Sequence, residues 1–371
     1  MDFLVGTFRS PLIFTLRFTP PDSLEIIHSS TACGGHSWLS LSEDHKFLYA
    51  TVWSSPPSIA AYQILTGGTV KLINTKPVRS LSGYTTCTTE HVFTVGGPTG
   101  EAFAVRADGG LGDLVQELSF RKPEELSDGA RDVAHGNFGG LRHGAHSVDI
   151  APDGRSLYVA DIGHNCIWTY ALDESNKTRP LQLKTKHISP RQGDGPRHTW
   201  PHPNGKVLYS LQEHSSIVDV FSVAHDGTSL QHIQGVKIIP ANKDAVHYWA
   251  DEVRLSKSAD GPPKYLYAST RGLENETMGY VAAFKIDMDG MIIDSALHIW
   301  KTPTSGGLAN AIEPSPPVPG SNGLEFLALT DSQDGLVFIL SFDGRVIREV
   351  ARVQLKTGDG VTATAATAVW L

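Results

Sequence analysis

One strand pattern recurs seven times along the chain and constrains the fold more than any other feature. Each copy is a short strand, a turn and then an apolar strand centred on Leu-Tyr or an equivalent pair. The apolar strands are centred on Leu4, Leu48, Phe93, Leu157, Leu208, Leu266 and Leu327. Their separations of 44 to 64 residues suit propeller blades of about 40–50 residues with loop insertions. The pattern predicts an all-β, seven-bladed β-propeller with four-stranded antiparallel blades.

The two ends of the chain complement each other. Leu4 belongs to a second strand, so blade one has no inner strand before it. Residues 366–371 resemble an inner strand that has nothing after it. Pairing the two segments closes the ring and removes an exposed sheet edge. We therefore predict one domain over residues 1–371, with residues 107–143, a long, polar and Gly-rich stretch, as an insertion or lid loop before blade four.

The composition disfavours several classes of partner. The net charge is −8 and no basic stripe is present, so neither nucleic acid nor an anionic membrane is an expected partner. No apolar run approaches the about 18 residues of a membrane span. Cys33, Cys87 and Cys166 lie outside any CxxC spacing, which favours a reduced chain in the cytoplasm. A small-molecule substrate is the expected partner, and a homo-oligomer is compatible with the sequence.

Propeller geometry selects four candidate catalytic residues. The start of an inner strand and the end of a second strand lie on one face of the disc, so polar residues there converge on the mouth of the central channel. His146 starts the inner strand of blade four, and Arg197 lies just before that of blade five. Glu213 and Arg271 follow the second strands of blades five and six. Paired guanidiniums suit carboxylates, and a His with a Glu can carry a proton near neutral pH.

These residues also have a structural interpretation. His36, His146 and His198 all open inner strands, so a His there can be a feature of the repeat. Arg197 and Arg271 can bridge neighbouring blades, with a carboxylate between them. Convergence of the set on one mouth favours the functional interpretation.

Motifs for metal binding or for other common chemistries are missing from the sequence. No HExxH, P-loop or GxSxG motif is present. His135, His143 and His146 form the one tight cluster among 16 histidines, and its spacing does not resemble a zinc motif. We therefore expect no metal site.

Segments spread nearly end to end carry a family resemblance. The most specific is GPRHTWPHPNGKVLYSLQEHS, and the others include VGTF, GAHSVDIAPDGRSLYVAD, YLYASTRG, KTPTSGG, LTDSQDG and AVW. The chain resembles the fungal 3-carboxy-cis,cis-muconate lactonising enzymes, a branch of the propeller family that includes bacterial 6-phosphogluconolactonases. The resemblance implies an enzyme without metal or organic cofactor. It also implies that His146, Arg197, Glu213 and Arg271 form the active site.

The resemblance implies an intramolecular cyclase that closes a lactone. One carboxylate of a muconate-like substrate adds across a conjugated alkene, and a proton is left on the adjacent carbon. Arg197 and Arg271 would hold carboxylates and disperse the developing charge. His146 would move the proton, and Glu213 would orient His146 or share its role.

Departures from the family pattern leave the substrate open. Leu308 stands where the resemblance leads us to expect a His after Gly-Gly, and His198 replaces an aromatic residue after Pro-Arg. One alternative is a ring-forming, pericyclase-like cyclase of specialised metabolism, and another is a lactone hydrolase of the 6-phosphogluconolactonase type. A non-enzymatic scaffold is disfavoured because it needs no charged groups at the mouth. We expect the following residues to contact substrate: Arg142, His143, His198, Trp200, Trp249, Leu308 and Asp331.

Overall fold

The computed structural model describes residues 1–120, 144–258, 261–321 and 323–371, and its regular structure is almost entirely β. The strands, in chain order, are β1 (Asp2–Thr7), β2 (Leu12–Thr19), β3 (Ser23–Thr31), β4 (Leu39–Leu41), β5 (Phe47–Val52), β6 (Ser58–Ile64), β7 (Val70–Pro77), β8 (Tyr84–Cys87), β9 (His91–Gly96), β10 (Thr99–Val105), β11 (Leu111–Ser119), β12 (Ala145–Ile150), β13 (Ser156–Asp161), β14 (Cys166–Leu172), β15 (Leu181–Ile188), β16 (Pro196–Pro201), β17 (Val207–Gln212), β18 (Ile217–Val223), β19 (Leu230–Lys237), β20 (Tyr248–Leu255), β21 (Tyr265–Gly272), β22 (Tyr280–Lys285), β23 (His298–Lys301), β24 (Ile312–Pro314), β25 (Glu325–Asp331), β26 (Leu336–Phe342), β27 (Ile347–Gln354) and β28 (Ala365–Trp370). A short 3-10 helix spans Ala245–His247. Within the described ranges, no helix is long and apolar enough to cross a membrane.

These strands form seven four-stranded antiparallel sheets, which are the blades of a propeller. Blades two to seven use consecutive strands, from β4–β7 for blade two to β24–β27 for blade seven. All seven predicted strand centres fall in the second strand of a blade, namely β1, β5, β9, β13, β17, β21 and β25. The predicted fold class is therefore confirmed blade by blade.

The C-terminal strand closes the ring, as predicted. Strand β28 pairs antiparallel with β1, with Phe3 opposite Trp370 and Val5 opposite Ala368. The Phe3 and Trp370 rings lie 4.5 Å apart between centroids. The Trp370 indole also donates a hydrogen bond to the Glu313 carbonyl oxygen in blade seven, at 3.0 Å. The last strand thus joins the first blade to the last.

The predicted insertion over residues 107–143 is wrong in its first part. Leu111–Ser119 form β11, the outer strand of blade three, which pairs with β10. An outer strand exposes one face to water, which explains why this segment is polar enough to resemble a loop. Residues 121–143, which include the candidate residues Arg142 and His143, lie outside the described residues.

The hydrophobic core lies between the blades. Second strands such as β13 and β17 are buried along their whole length, because a neighbouring blade covers each face. One apolar cluster joins Val220 of blade five to Phe284 of blade six, and another joins Phe14 of blade one to Phe326 of blade seven. This packing fixes the inner strands around the channel.

Candidate active site

Three consecutive inner strands carry a β-bulge at the same register, next to the mouth of the channel. The pairing shifts at His146 in β12, at Arg197 in β16 and at Asp251 in β20. A bulge inserts one extra residue and redirects its side chain, and such bulges recur beside active sites. His146 is therefore structurally equivalent to Arg197, whereas the sequence comparison of HSV with HTW matched His146 to His198.

Glu213 and Arg271 occupy matching places in neighbouring blades. Glu213 directly follows β17, and Arg271 is the penultimate residue of β21. Both side chains are buried. The Glu213 carbonyl oxygen accepts a hydrogen bond from the Ala250 amide at 2.9 Å, which ties blade five to blade six beside the site.

Arg197, Glu213, Arg271 and Asp251 form a closed ring of alternating charge. Glu213 Oε1 lies 3.2 Å from Arg197 Nη1 and 3.3 Å from Arg271 Nη2. Asp251 Oδ1 lies 2.8 Å from Arg197 Nη2 and 3.8 Å from Arg271 Nε. Two guanidiniums and two carboxylates balance, so the ring holds both arginines in place without a net charge. The arrangement pre-orients the guanidinium donors before any substrate arrives.

His146 is a neutral imidazole in this site. Its Nε2 atom lies 2.7 Å from Arg197 Nη1. A guanidinium only donates, so Nε2 accepts and the ring proton sits on Nδ1. Burial, together with the nearby charges of Arg197 and Arg271, lowers the pKa of His146 well below its usual 6.5. Its Nδ1 atom is buried and makes no hydrogen bond to the described residues.

His198 and Glu252 form a second buried pair. His198 Nδ1 lies 2.8 Å from Glu252 Oε1, and the His146 and His198 rings lie 5.1 Å apart between centroids. The same carboxyl oxygen also accepts from Arg254 Nη1 at 2.5 Å and from the Val253 amide at 3.0 Å. Burial outweighs the attraction of Arg254 and raises the pKa of Glu252 to about 8. The pair is therefore able to carry a proton at neutral pH.

These groups line one cavity with a charged wall and an apolar wall. The cavity is narrow, with a volume of about 40 Å³ open to the centre of a water-sized sphere. Blades four to six supply the charged wall: His146, Arg197, His198, Asp251, Glu252 and Arg271. The apolar wall is formed by Phe8, Trp53, Leu308, Ala309, Ala311 and Ala366. The cavity can thus hold a ligand that is anionic at one end and apolar along one side.

Leu308 and His198 lie where the sequence placed them, in the lining of the cavity. The Leu308 amide donates to Ser332 Oγ at 2.5 Å. The preceding carbonyl, of Gly307, accepts from Arg271 Nη1 at 3.2 Å. The loop that carries Leu308 is therefore fixed to the charged wall. Trp249 does not line the cavity and instead lies behind Arg271, whose guanidinium is 5.0 Å from the indole centroid.

Trp200 and Asp331, like Trp249, lie outside the lining of this cavity. Trp200 packs against Arg254, with 4.1 Å between guanidinium and ring centroid, and both line a separate cavity toward the carboxyl ends of the inner strands. Trp200 lies too far along β16 to reach the mouth. Asp331 is buried and accepts hydrogen bonds from the Thr304 hydroxyl and, at 3.1 Å, from the Asp334 amide. Asp331 therefore caps a turn.

Asp251 and Glu252 are the site residues that the sequence analysis missed. They open the unit DEVRLSKSADGPPKYLYAST, at the place where blade four has His146-Ser147 and blade five has Arg197-His198. Aligning the inner strand DEVRL directly with HSVDI of blade four, instead of searching for histidines, would have placed both carboxylates at the mouth. Asp251 is further held by the Asn310 amide, which donates to Oδ2 at 2.6 Å.

His36 follows the structural interpretation instead. Its Nδ1 bonds to the Thr51 carbonyl oxygen and its Nε2 to the Tyr62 hydroxyl, both at 2.7 Å. Both ring nitrogens are thus used inside blade two. In the part of the chain that the structure describes, no group of three or more His, Cys, Asp or Glu side chains is arranged to hold a metal ion.

The fold and this site define a class of propeller enzyme. Residues 2–301 match the family described as "Lactonase, 7-bladed beta-propeller", and the chain belongs to this family. The predicted resemblance is confirmed by known relatives along the whole chain.

Two curated relatives and one solved structure show the relationship. The chain is 43% identical over 377 residues to muconate cycloisomerase 1 of Cutaneotrichosporon cutaneum, covering 100% of this chain and 98% of that protein. It is 32% identical over 231 residues to the carboxy-cis,cis-muconate cyclase of Neurospora crassa, covering 59% of each. The periplasmic gluconolactonase of Pseudomonas aeruginosa shares the fold, with a TM-score of 0.75 and 19% identity over 99% of this chain and 98% of that one. The homologues support a lactonising cyclase or a lactonase.

Proposed function

We propose that this chain is an intramolecular cyclase that lactonises a muconate-like unsaturated polycarboxylate without a cofactor. The observation that carries the proposal is the state of Arg271. Of its five N–H groups, two donate to described residues, one to the Gly307 carbonyl oxygen and one to Glu213. Arg271 lies in the lining of the cavity, and its Nε atom makes no hydrogen bond to a described residue. A guanidinium with free donors suits a substrate carboxylate, which it can bind through two parallel hydrogen bonds.

Electrostatics favour an anion beside Arg271. Burial and the like charge of Arg197 lower the pKa of Arg271 from its usual 12.5. A substrate carboxylate would add a negative charge beside this guanidinium and stabilise its charged form. The relative at 43% identity is named a muconate cycloisomerase, and a muconate offers a carboxylate at each end of a conjugated diene.

The proposed reaction joins one substrate carboxylate to the diene of the same molecule. A carboxylate oxygen forms a C–O bond to an alkene carbon, and the alkene electron pair moves into the adjacent carboxylate to give an enediolate. Arg271 stabilises that charge, and His146 can donate its Nδ1–H to the same oxygen. A proton then forms a C–H bond at the carbon next to the new ring. Each step is redox-neutral and intramolecular, so the protein has to supply only orientation, charge and a proton.

A ring-forming cyclase for a bulkier, largely apolar substrate is the second candidate. It is favoured by the apolar wall, where Phe8, Trp53 and Leu308 face the charged groups. Such a substrate would contact that wall along its length and place a single polar group at Arg271.

A direct assay separates these functions. Purified protein is incubated with 3-carboxy-cis,cis-muconate or cis,cis-muconate, and loss of the diene absorbance is followed while NMR identifies the product. We expect conversion to a lactone with one proton taken up per turnover. A folded protein that leaves both dienes unchanged would favour the second candidate. Opening of a supplied lactone to a hydroxy acid would instead identify a hydrolase.

Replacing Leu308 by His tests which kind of ligand the cavity takes. For a polycarboxylate, kcat/KM for Leu308→His is expected to equal or exceed that of the wild type, because the imidazole adds a polar group beside Arg271. Leu308→Met is the matched control, since it keeps an apolar side chain of similar volume. A fall in turnover with His but not with Met would show that Leu308 packs against apolar substrate.

A further inference from the structure

We propose that Glu252, paired with His198, is the acid that delivers the proton during ring closure. This inference rests on the proposed function and adds a catalytic residue to it. The quartet implied by the resemblance contains neither Glu252 nor His198. Both lie in the lining of the same cavity as Arg271 and His146.

The two oxygens of Glu252 have different surroundings. Oε1 faces three donors, namely His198 Nδ1, Arg254 Nη1 and the Val253 amide. Oε2 is buried and makes no hydrogen bond to any residue in the described ranges. A carboxyl proton therefore belongs on Oε2, since Oε1 is saturated with donors. This oxygen is the one able to give a proton to a ligand.

His146 is poorly suited to deliver the proton itself. Its Nε2 accepts from Arg197, and its imidazole is neutral. Giving up the Nδ1 proton would create an imidazolate, which is far more costly than ionising a carboxylic acid. His146 therefore remains a hydrogen-bond donor to the developing charge, and the site needs a separate acid.

The charges around Glu252 are compatible with a protonated carboxyl group. The titratable and charged groups that face it are Tyr84, Asp149, Arg197, His198, Asp251 and Arg254. Arg254 also bonds Glu313, with Nε to Oε2 at 2.9 Å, so its positive charge is shared with a second carboxylate. Burial keeps the pKa of Glu252 at about 8, and Asp251 adds a like charge beside it.

The proposed step balances without another reactant. The enediolate electron pair forms the new C–H bond, and the O–H bond of Glu252 breaks. The resulting carboxylate is stabilised by its hydrogen bonds to His198 and Arg254, which strengthen as charge develops. Solvent returns the proton after product leaves, so one proton is consumed in each turnover.

The first test replaces Glu252 by Gln, which keeps the shape of the side chain and removes its acidic proton. We expect kcat on a muconate substrate to fall by about 10²–10⁴-fold, the usual contribution of general acid catalysis, with KM nearly unchanged. Glu325→Gln is the matched control. Glu325 is another largely buried carboxyl with a raised pKa, of about 7, and it bonds Tyr267 outside the cavity. Its replacement should leave kcat unchanged.

The pH profile gives a second readout that a structural role would not move. The active form is protonated Glu252, so wild-type kcat should hold below a pKa of about 8 and fall as the pH rises through it. Glu252→Asp keeps the acid and should retain more activity than Glu252→Gln, with the alkaline limb preserved. Thermal unfolding shows whether the Gln variant folds. If it does not fold, the Asp variant and the pH profile of the wild-type kcat test whether Glu252 is the acid.

Two outcomes would overturn the inference, and they differ from failure of the proposed function. If the wild-type protein is active and its kcat does not change as the pH rises through about 8, Glu252 is not the acid. A folded Glu252→Gln variant with wild-type kcat would do the same. A wild type inactive on both muconates would instead overturn the proposed function, and this inference with it.

Discussion

Replacing Arg271 by Gln is expected to lower kcat/KM for a muconate substrate by on the order of 10²-fold, mainly through KM. Each hydrogen bond to a charged group contributes about 1.5–3 kcal/mol, and Arg271 has donors free to make two of them. Steady-state kinetics on the diene absorbance measures the effect. Thermal unfolding is measured beside the kinetics to show that the variant is folded under assay conditions, because Arg271 also pairs with the buried Glu213 and Asp251 and its loss destabilises the fold.

Two variants control this experiment. Arg271→Lys keeps the charge without the planar fork and should give an intermediate loss. Arg352→Gln removes an arginine that pairs with Glu349 on the outer strand of blade seven, far from the mouth in the fold, and should leave kinetics unchanged. An Arg271→Gln variant with wild-type KM and kcat would show that this residue does not bind the substrate carboxylate.

Deleting residues 366–371 is expected to abolish the cooperative thermal unfolding of the protein. These residues supply most of β28, and their loss removes the buried Ala368 and Trp370 from the cluster that joins blades seven and one. Removing one large buried aromatic side chain alone costs about 3–5 kcal/mol, which is comparable with a total stability of about 5–15 kcal/mol. The deletion also exposes the edge of β1 to pairing with other chains.

Circular dichroism on heating and size-exclusion chromatography measure these two consequences. Deleting Leu371 alone is the control, since this residue lies beyond the last strand. A shortened chain that melts as the full chain does would mean that β28 adds little to stability, although it closes the ring.

The fold was predictable because each blade repeats the same chemical pattern. Second strands are buried on both faces, so copies such as those at Leu157 and Leu208 are continuous apolar runs that stand out from their surroundings. The outer strand β11 was assigned to a predicted insertion, because its exposed side makes its sequence resemble a loop. Apolar runs therefore identify the buried strands of a blade, whereas an exposed strand that is held by pairing alone is harder to identify from the sequence.

The site was predictable in part, for a different physical reason. Glu213 and Arg271 follow regular strands, so counting along the chain places them correctly. Asp251 and Glu252 were missed because the candidates at the start of inner strands were histidines and arginines, and blade six has carboxylates there. Trp200 lies outside this cavity because position along β16 decides which end of the channel a side chain reaches.

The repeated bulge register gives the cavity a modular layout. Blades four, five and six each present a bulge residue to the cavity, and blades three, seven and one contribute the small residues Gly83, Ala311 and Ala366 to its lining. A larger side chain at one of these positions would project into the cavity from a different side, while the packing between the blades stays unchanged. New specificities could therefore arise by swapping single residues around a fixed frame, which makes this rim a natural target for designed libraries.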